Sequence, residues 1–349
     1  MSIRVLVVDD SAFIRKIVTD ILSEDPYINV LDIARNGREA LDKIKLLSPD
    51  VVTLDVEMPV MDGLECLKEI MNVKPVPVIM VSSLTTEGAN ATIKALELGA
   101  IDFIAKPRNI FDVGNEKVKK EIIEKIKIAK NSIVRPSSSF VHYTRSEKKK
   151  VINSQKLKHI VAIGTSTGGP RALQQVIPPI PGNIPAAFVV VQHMPQGFTK
   201  SLAARLDSMS ELNVKEAEDG DIITSGYAYI APGSYHMVFQ KESNTGQIVI
   251  RLNKNAPEGG HRPSVNVMMS SLADTGQNNI IGVIMTGMGA DGCEGLKRLK
   301  TDNGAHIIAQ DEKSCVVYGM PKAAVQAGIV DKVIALNDIS NEIIRKVGV

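Results

Sequence analysis

The sequence contains no tryptophan, and aromatic residues make up only 4% of it. Its cores must therefore be aliphatic, which suits parallel sheets sandwiched between helices. Cysteine is scarce too: Cys66, Cys293 and Cys315 stand far apart in the chain. An odd, scattered set has no metal-ligand spacing and fits reduced thiols in a cytoplasmic protein. Charge of one sign is missing, since 41 basic and 39 acidic side chains leave a formal net charge of +2. No global field argues for a nucleic acid or membrane partner. No apolar run approaches the length needed to span a bilayer. The opening "MSIRVLVVDD" reads as a buried strand ending in acids rather than as a signal peptide.

What is present is enough chain for two domains, 349 residues with an ordinary 44% hydrophobic fraction. Through about residue 130 strands and helices alternate. Strands are expected at 3–8, 28–34, 51–54, 77–81 and 101–104, and helices at 11–23, 37–47, 63–73, 87–98 and 113–130. Five such units imply a doubly wound parallel sheet, with ligands beyond the carboxyl ends of its strands. From 123 to 156 the chain turns rich in Lys, Arg and Ser, and reads as a helix tail followed by a solvated linker. The second half resumes as α/β, with "YAYIAPGSYHMVF" and "GQIVIRL" expected as hairpin or antiparallel segments inserted into it.

The strand ends of the first half carry the chemistry. Asp9 and Asp10 follow the first strand, Asp55 the third, Ser82 the fourth and Lys106 the fifth. Three carboxylates at one sheet edge repel each other unless a cation neutralises them, and hard oxygen ligands suit Mg²⁺. Mg²⁺ in turn favours a phosphoryl group there, with a Lys and a hydroxyl on its oxygens. Singly, Asp10 or Ser11 would serve as a helix cap. Jointly, and with "LDVEMPVMDG", "VVDDS", "VSS" and "AKP", they resemble the receiver domain of two-component response regulators over residues 1–122. The resemblance implies that Asp55 accepts phosphate from a histidine kinase and that Asp9, Asp10, Asp55 and the backbone of Glu57 hold Mg²⁺. Ser82 would be the switch hydroxyl, Lys106 the phosphate partner, and Phe103 the switch aromatic or else a core residue.

In the second half, "GTSTGGP" (164–170) follows an apolar strand. Such a loop either cradles a phosphate or presents a nucleophile, because its N–H groups can face an anion in both cases. It lacks G-x-G-x-x-G and G-K-[ST], but satisfies G-x-S-x-G. Ser166 is central in that turn, with Thr165 and Thr167 as rivals. A nucleophilic Ser needs a base and a group to orient it. Of six histidines, His142 falls in the linker, His159 and His306 sit at the wrong strand ends, and His236 lies in the β excursion. His261 stays possible, and His193, just past "AAFVVVQ", is best placed. Asp291, past another strand in "NIIGVIMTGMGADG", can orient it, unless it is merely a helix N-cap.

These stretches, with "EAEDGD", "HRPSVNV" and "SCVVYGMP", resemble the catalytic domain of bacterial chemotaxis protein-glutamate methylesterases across nearly all of 157–349. The resemblance implies hydrolysis of glutamate methyl esters on methyl-accepting chemoreceptors, and often deamidation of receptor glutamines. Carried over, Ser166 is the nucleophile, His193 the base, Asp291 its partner, and Met288 an oxyanion-hole amide. Ester hydrolysis would need no cofactor. The fold expected is thus α/β throughout: an N-terminal (βα)5 receiver, 1–122, a joint, 123–156, and an α/β esterase domain with a β-hairpin insertion, 157–349. A cytoplasmic monomer, controlled by phosphorylation from the chemotaxis histidine kinase, completes the expectation. The competing reading is a response regulator whose second domain only binds a partner.

Overall fold

The computed structural model describes residues 2–106, 116–132 and 156–348. The linker proper, with His142 and the Lys148–Lys150 run, and Pro107 of "AKP" lie outside the described residues.

In the first unit, β1 (Ile3–Val8), β2 (Ile28–Ala34), β3 (Val51–Asp55), β4 (Val78–Ser82) and β5 (Asp102–Ala105) pair in parallel in the order β2-β1-β3-β4-β5. The helices are α1 (Ala12–Ser23), α2 (Gly37–Leu47), α3 (Gly63–Val73), α4 (Thr86–Leu98) and α5 (Glu116–Asn131). Local chemistry starts them where expected. Ser11 caps α1 through Ile14 N–H, and Asp62 caps α3 through Glu65 N–H at 2.8 Å. In α1, Ile14, Ile17, Val18, Ile21 and Leu22 recur at helical spacing and are all buried. Strand order reverses between β1 and β3, so the crevice at their carboxyl ends lies between Asp9 and Asp55. Helix α5 packs on β3, β4, β5 and α1, which makes the described part of this unit run through the helix to its end.

The second unit holds β6 (His159–Thr165), α6 (Gly169–Val176), β7 (Ala186–Gln192), α7 (Phe198–Met209), β8 (Asn213–Glu216) and β9 (Tyr227–Ile230). After them come β10 (His236–Lys241), β11 (Ile248–Asn253), α8 (Val265–Ala273), β12 (Ile280–Ile284) and α9 (Cys293–Asn303). The chain finishes with β13 (His306–Gln310), α10 (Met320–Gln326), β14 (Lys332–Ile334) and α11 (Ile339–Val347). Seven strands form a parallel sheet, β14-β13-β12-β6-β7-β9-β8, and β10–β11 is the antiparallel hairpin.

One segment departs from expectation. "YAYI" is not part of the hairpin: as β9 it pairs in parallel with β7 and β8, and only the strand after it joins the antiparallel ribbon. A four-residue strand is too short for periodicity to reveal its partner; tertiary pairing decided it. The central strands β6 and β7 are almost wholly buried, as a sheet covered on both faces requires. Fully buried aromatic side chains here, Phe188 and Phe198, each contribute roughly 1.5–3 kcal/mol relative to exposure. Strand order reverses at β6, which puts the favoured crevice beside the end of that strand.

Candidate functional site

The turn after β6 is shaped by close packing. Ser166 N–H donates to Thr286 O at 3.0 Å, and Gly169 N–H returns to Ser166 O at 2.8 Å, closing the turn into α6. Gly168 has φ +75°, and a Cβ there would lie 2.6 Å from Val316 Cγ2. A Cβ on Gly287 would come within 2.8 Å of Ser166 Cβ. The glycines of "GTSTGG" and "TGMG" thus let two loops close on Ser166.

The three hydroxyls differ in burial. Thr165 is fully buried and its hydroxyl donates to Gln192 Oε1; Thr167 is 7% exposed. Ser166 is the partly exposed one. Gln192 belongs to the site as well, with no motif to mark it. Its amide Nε2 donates to Ser166 O at 3.0 Å and His193 O at 3.1 Å, tying the two turns together. A buried polar residue at a strand end was the only signal for it.

His193 stands beside Ser166, because β6 and β7 pair Thr165 with Gln192, the residues just before them. Its Nε2 meets Asp291 Oδ2 at 2.7 Å. Asp291 in turn accepts from Val265 N–H at 2.8 Å, Asn266 N–H at 2.9 Å and Ser264 Oγ at 2.9 Å. Asp291 is not the cap of the helix that follows it; Gly292 holds that position in α9. Its carboxylate sits instead at the N-terminus of α8, where the helix amides favour negative charge. Burial works to raise the Asp291 pKa, but His193 and the Asn266 and Val265 amides outweigh it and bring it to about 2. An ionised Asp291 can only accept, so Nε2 carries the proton and Nδ1 bears the lone pair. That Nδ1 is buried and makes no hydrogen bond.

His236 is buried and its Nε2 pairs with Ala256 O at 3.2 Å, a structural contact. His159 and His306 begin their strands, at the far end of the sheet. His261 does reach the site, by stacking on the His193 ring. Met288 is 39% exposed, and its N–H has no acceptor among the described residues. The Thr167 N–H is equally uncommitted. Both amides border Ser166, Thr167 in sequence and Met288 next to Gly287.

In the first unit, Asp9, Asp10 and Asp55 bring carboxylate oxygens within 4.8 Å of one another. Lys106 Nζ reaches Asp55 Oδ2 at 2.7 Å and Asp9 Oδ2 at 3.1 Å. One ammonium against three carboxylates leaves the cluster negative, and among the described residues buried Asp9 Oδ2 has only that shared ammonium beside it. Oxygen donors with charge to spare fit Mg²⁺. Burial pushes the Asp55 carboxyl up to about 6; Lys106 pulls the other way and Asp9 adds to the rise. Burial opposes the Lys106 charge, but Asp55 and Asp9 prevail and its pKa is raised. Glu57 N–H approaches Asp55 Oδ1 at 3.3 Å, and a Cβ on Gly63 would collide with Asp55 O at 2.0 Å. Ser82 is buried, its hydroxyl donating to Gly88 O at 3.0 Å. Phe103 is 3% exposed, with Lys125 Nζ 5.1 Å from its ring centre.

Comparison with known proteins matches each of the two units to a family. The CheB methylesterase family matches residues 161–343, and the response regulator receiver domain matches 5–114. A protein-glutamate methylesterase/protein-glutamine glutaminase of Halalkalibacterium halodurans is 49% identical over 344 residues, covering 99% of this chain and 98% of that one. The Bacillus subtilis protein of the same name is 47% identical over 349 residues, covering 98% and 97%. The crystal structure of the Thermotoga maritima CheB methylesterase catalytic domain, 46% identical, covers 54% of this chain and 97% of its own, with a TM-score of 0.51. Receiver at one end and esterase fold at the other, similar to these relatives over nearly its whole length, the chain belongs to the CheB methylesterase family.

Proposed function

We propose that the chain hydrolyses methyl esters on glutamate side chains of chemoreceptors, under control of phosphorylation at Asp55, and deamidates receptor glutamines by the same chemistry. The observation that carries this reading is the His193–Asp291 pair at 2.7 Å, standing beside the partly exposed Ser166. His193 Nδ1 takes the Ser166 hydroxyl proton as Oγ attacks the ester carbonyl. The uncommitted amides of Thr167 and Met288 receive the oxyanion, a contribution usually the largest in acyl transfer. Methanol departs with the proton from His193, leaving a Ser166 acyl-enzyme. Water, deprotonated by the same imidazole, releases the glutamate carboxylate and restores Ser166. For a glutamine substrate, ammonia leaves in place of methanol. Asp291 holds the tautomer and faces the imidazolium as it forms. In this reading the ring is turned relative to the familiar serine-protease arrangement: Nε2 meets the acid, which leaves Nδ1 as the nitrogen that would serve the nucleophile.

In the receiver, Asp55 is the phosphoacceptor, Lys106 pairs with the phosphoryl oxygens, and Ser82 and Phe103 are the switch pair. Asp9, Asp10, Asp55 and the backbone of Glu57 would hold Mg²⁺. When bound, the ion neutralises charge on the transferring phosphoryl group. The donor is a histidine kinase of the chemotaxis system. No described helix is long and apolar enough to cross a membrane, and the reading includes a cytoplasmic monomer that meets its receptors at the membrane surface.

The test is methanol release from membranes bearing methylated receptors. Ser166→Ala is expected to lower turnover at least ~1,000-fold while leaving the circular dichroism spectrum unchanged. Undiminished release by that variant would refute the nucleophile assignment.

A further inference from the structure

The mechanism above, on which this inference rests, gives His261 no task, yet its ring lies flat on His193. The centroids are 3.9 Å apart and the planes differ by 5°. We propose that His261 is a positioning residue: it fixes the plane of the His193 imidazole, so that Nε2 stays on Asp291 while Nδ1 is presented to Ser166.

The argument begins with the softness of the histidine side chain. Its outer torsion joins a tetrahedral carbon to a planar ring, so its energy wells are broad. A hydrogen bond at Nε2 restrains the ring along one in-plane direction and leaves it able to rock about that axis. A contact on the face acts at right angles to the bond and stops the rocking. The two restraints together hold Nδ1 in place; either alone does not. When His193 takes the Ser166 proton, its cationic ring also lies against the π face of its neighbour, a favourable arrangement at short range.

His261 is anchored well enough to serve. Its N–H donates to Glu258 O at 2.9 Å, and Glu258 N–H returns to His261 O at 3.2 Å. Next to it, Arg262 O accepts from Ser234 N–H at 3.2 Å, and Arg262 Nη1 donates to Lys254 O and Asn255 O at 2.9 Å each. Three residues beyond His261, Ser264 and the first amides of α8 hold Asp291. One short segment, 258–266, therefore restrains both the base, by its face, and the acid, by hydrogen bonds. Asn266 extends the restraint, its Oδ1 accepting from Gly292 N–H at 2.9 Å and Gly295 N–H at 3.0 Å.

The experiment compares His261→Ala, His261→Leu and His261→Phe in the full-length chain, reading kcat and KM for methanol release from methylated receptor membranes. Loss of the stack is expected to lower kcat about five- to tenfold in the Ala and Leu variants. KM is expected to stay near wild type, because the ring acts through His193. Phe, a flat ring of similar breadth, is expected to restore most of kcat. Unchanged kcat in the Ala variant would overturn the proposal, as would a Phe variant no faster than Leu. Should the Ala variant fail to fold, the Phe and Leu pair still decides between a stacking role and mere filling of space. Wild-type release that does not depend on Ser166 would instead bring down the hydrolase reading itself, and that result is read before any His261 variant.

Discussion

At the scale of single residues, Asp291 is where charge, tautomer and fold meet. Its carboxylate accepts from Val265, Asn266 and Ser264 as well as from His193. Asp291→Asn would place an amide opposite Nε2, which favours the wrong imidazole tautomer and removes the lone pair from Nδ1. The expected fall in kcat is on the order of 1,000- to 10,000-fold, by analogy with the same change in serine proteases. The wild-type pKa of about 2 also carries a stability statement. A carboxyl lowered on folding stabilises above its unfolded pKa, near 4, and loses that stabilisation as pH falls through about 2. About 2 kcal/mol is the scale of the pH-dependent part. Urea unfolding of the two proteins is expected to show a stability gap that is constant from pH 7 to about 4 and shrinks below it. A gap that closed between pH 7 and 5 would contradict the assignment of Asp291 as a buried, fully ionised group.

At the scale of elements, both sites follow one rule: short strands stop and polar residues begin. In the first unit β1 and β3 deliver Asp9 and Asp55 to the crevice between them, and β5 delivers Lys106 against both. Folding raises the Asp55 pKa from 3.8 to about 6, so the folded state binds more protons across that window and stability falls as pH rises through it. Above pH 6 the ionised group costs up to about 3 kcal/mol. Asp55→Asn removes that charge. Without Mg²⁺ at pH 7.5, slower hydrogen exchange is expected throughout β1–β5 of this variant, the gain vanishing toward pH 4. Mg²⁺ is expected to protect wild type more than the variant. Faster exchange in Asp55→Asn at pH 7.5 would show that Asp55 is not held at an electrostatic disadvantage.

At the scale of the whole molecule, one chain carries a phosphoacceptor and a hydrolase in two units. If Asp55 phosphorylation governs the esterase, a small-molecule phosphoryl donor with Mg²⁺ should raise methanol release about fivefold or more, the usual size of a coupling between sites. Asp55→Asn should show no rise; an equal rise in that variant would place the acceptor elsewhere. Much of this was legible in the residues. Apolar runs and caps gave nearly every strand and helix of the first unit within a residue or three, because its βα units are local and strongly patterned. The strand-end positions of Ser166, His193 and Asp291, the proposed triad, could be read from the sequence, since a parallel sheet sends all those ends to one edge. What the sequence could not decide were facts of contact between segments distant in the chain. Tertiary pairing put β9 in the parallel sheet rather than the hairpin, and burial separated Ser166 from Thr165 and Thr167. Folding alone set Asp291 on the N-terminus of α8, fixing which ring nitrogen of His193 meets the acid, and laid His261 against its face. Periodicity records which side of an element is apolar; only the folded chain determines what that side meets, and so which atom carries the proton.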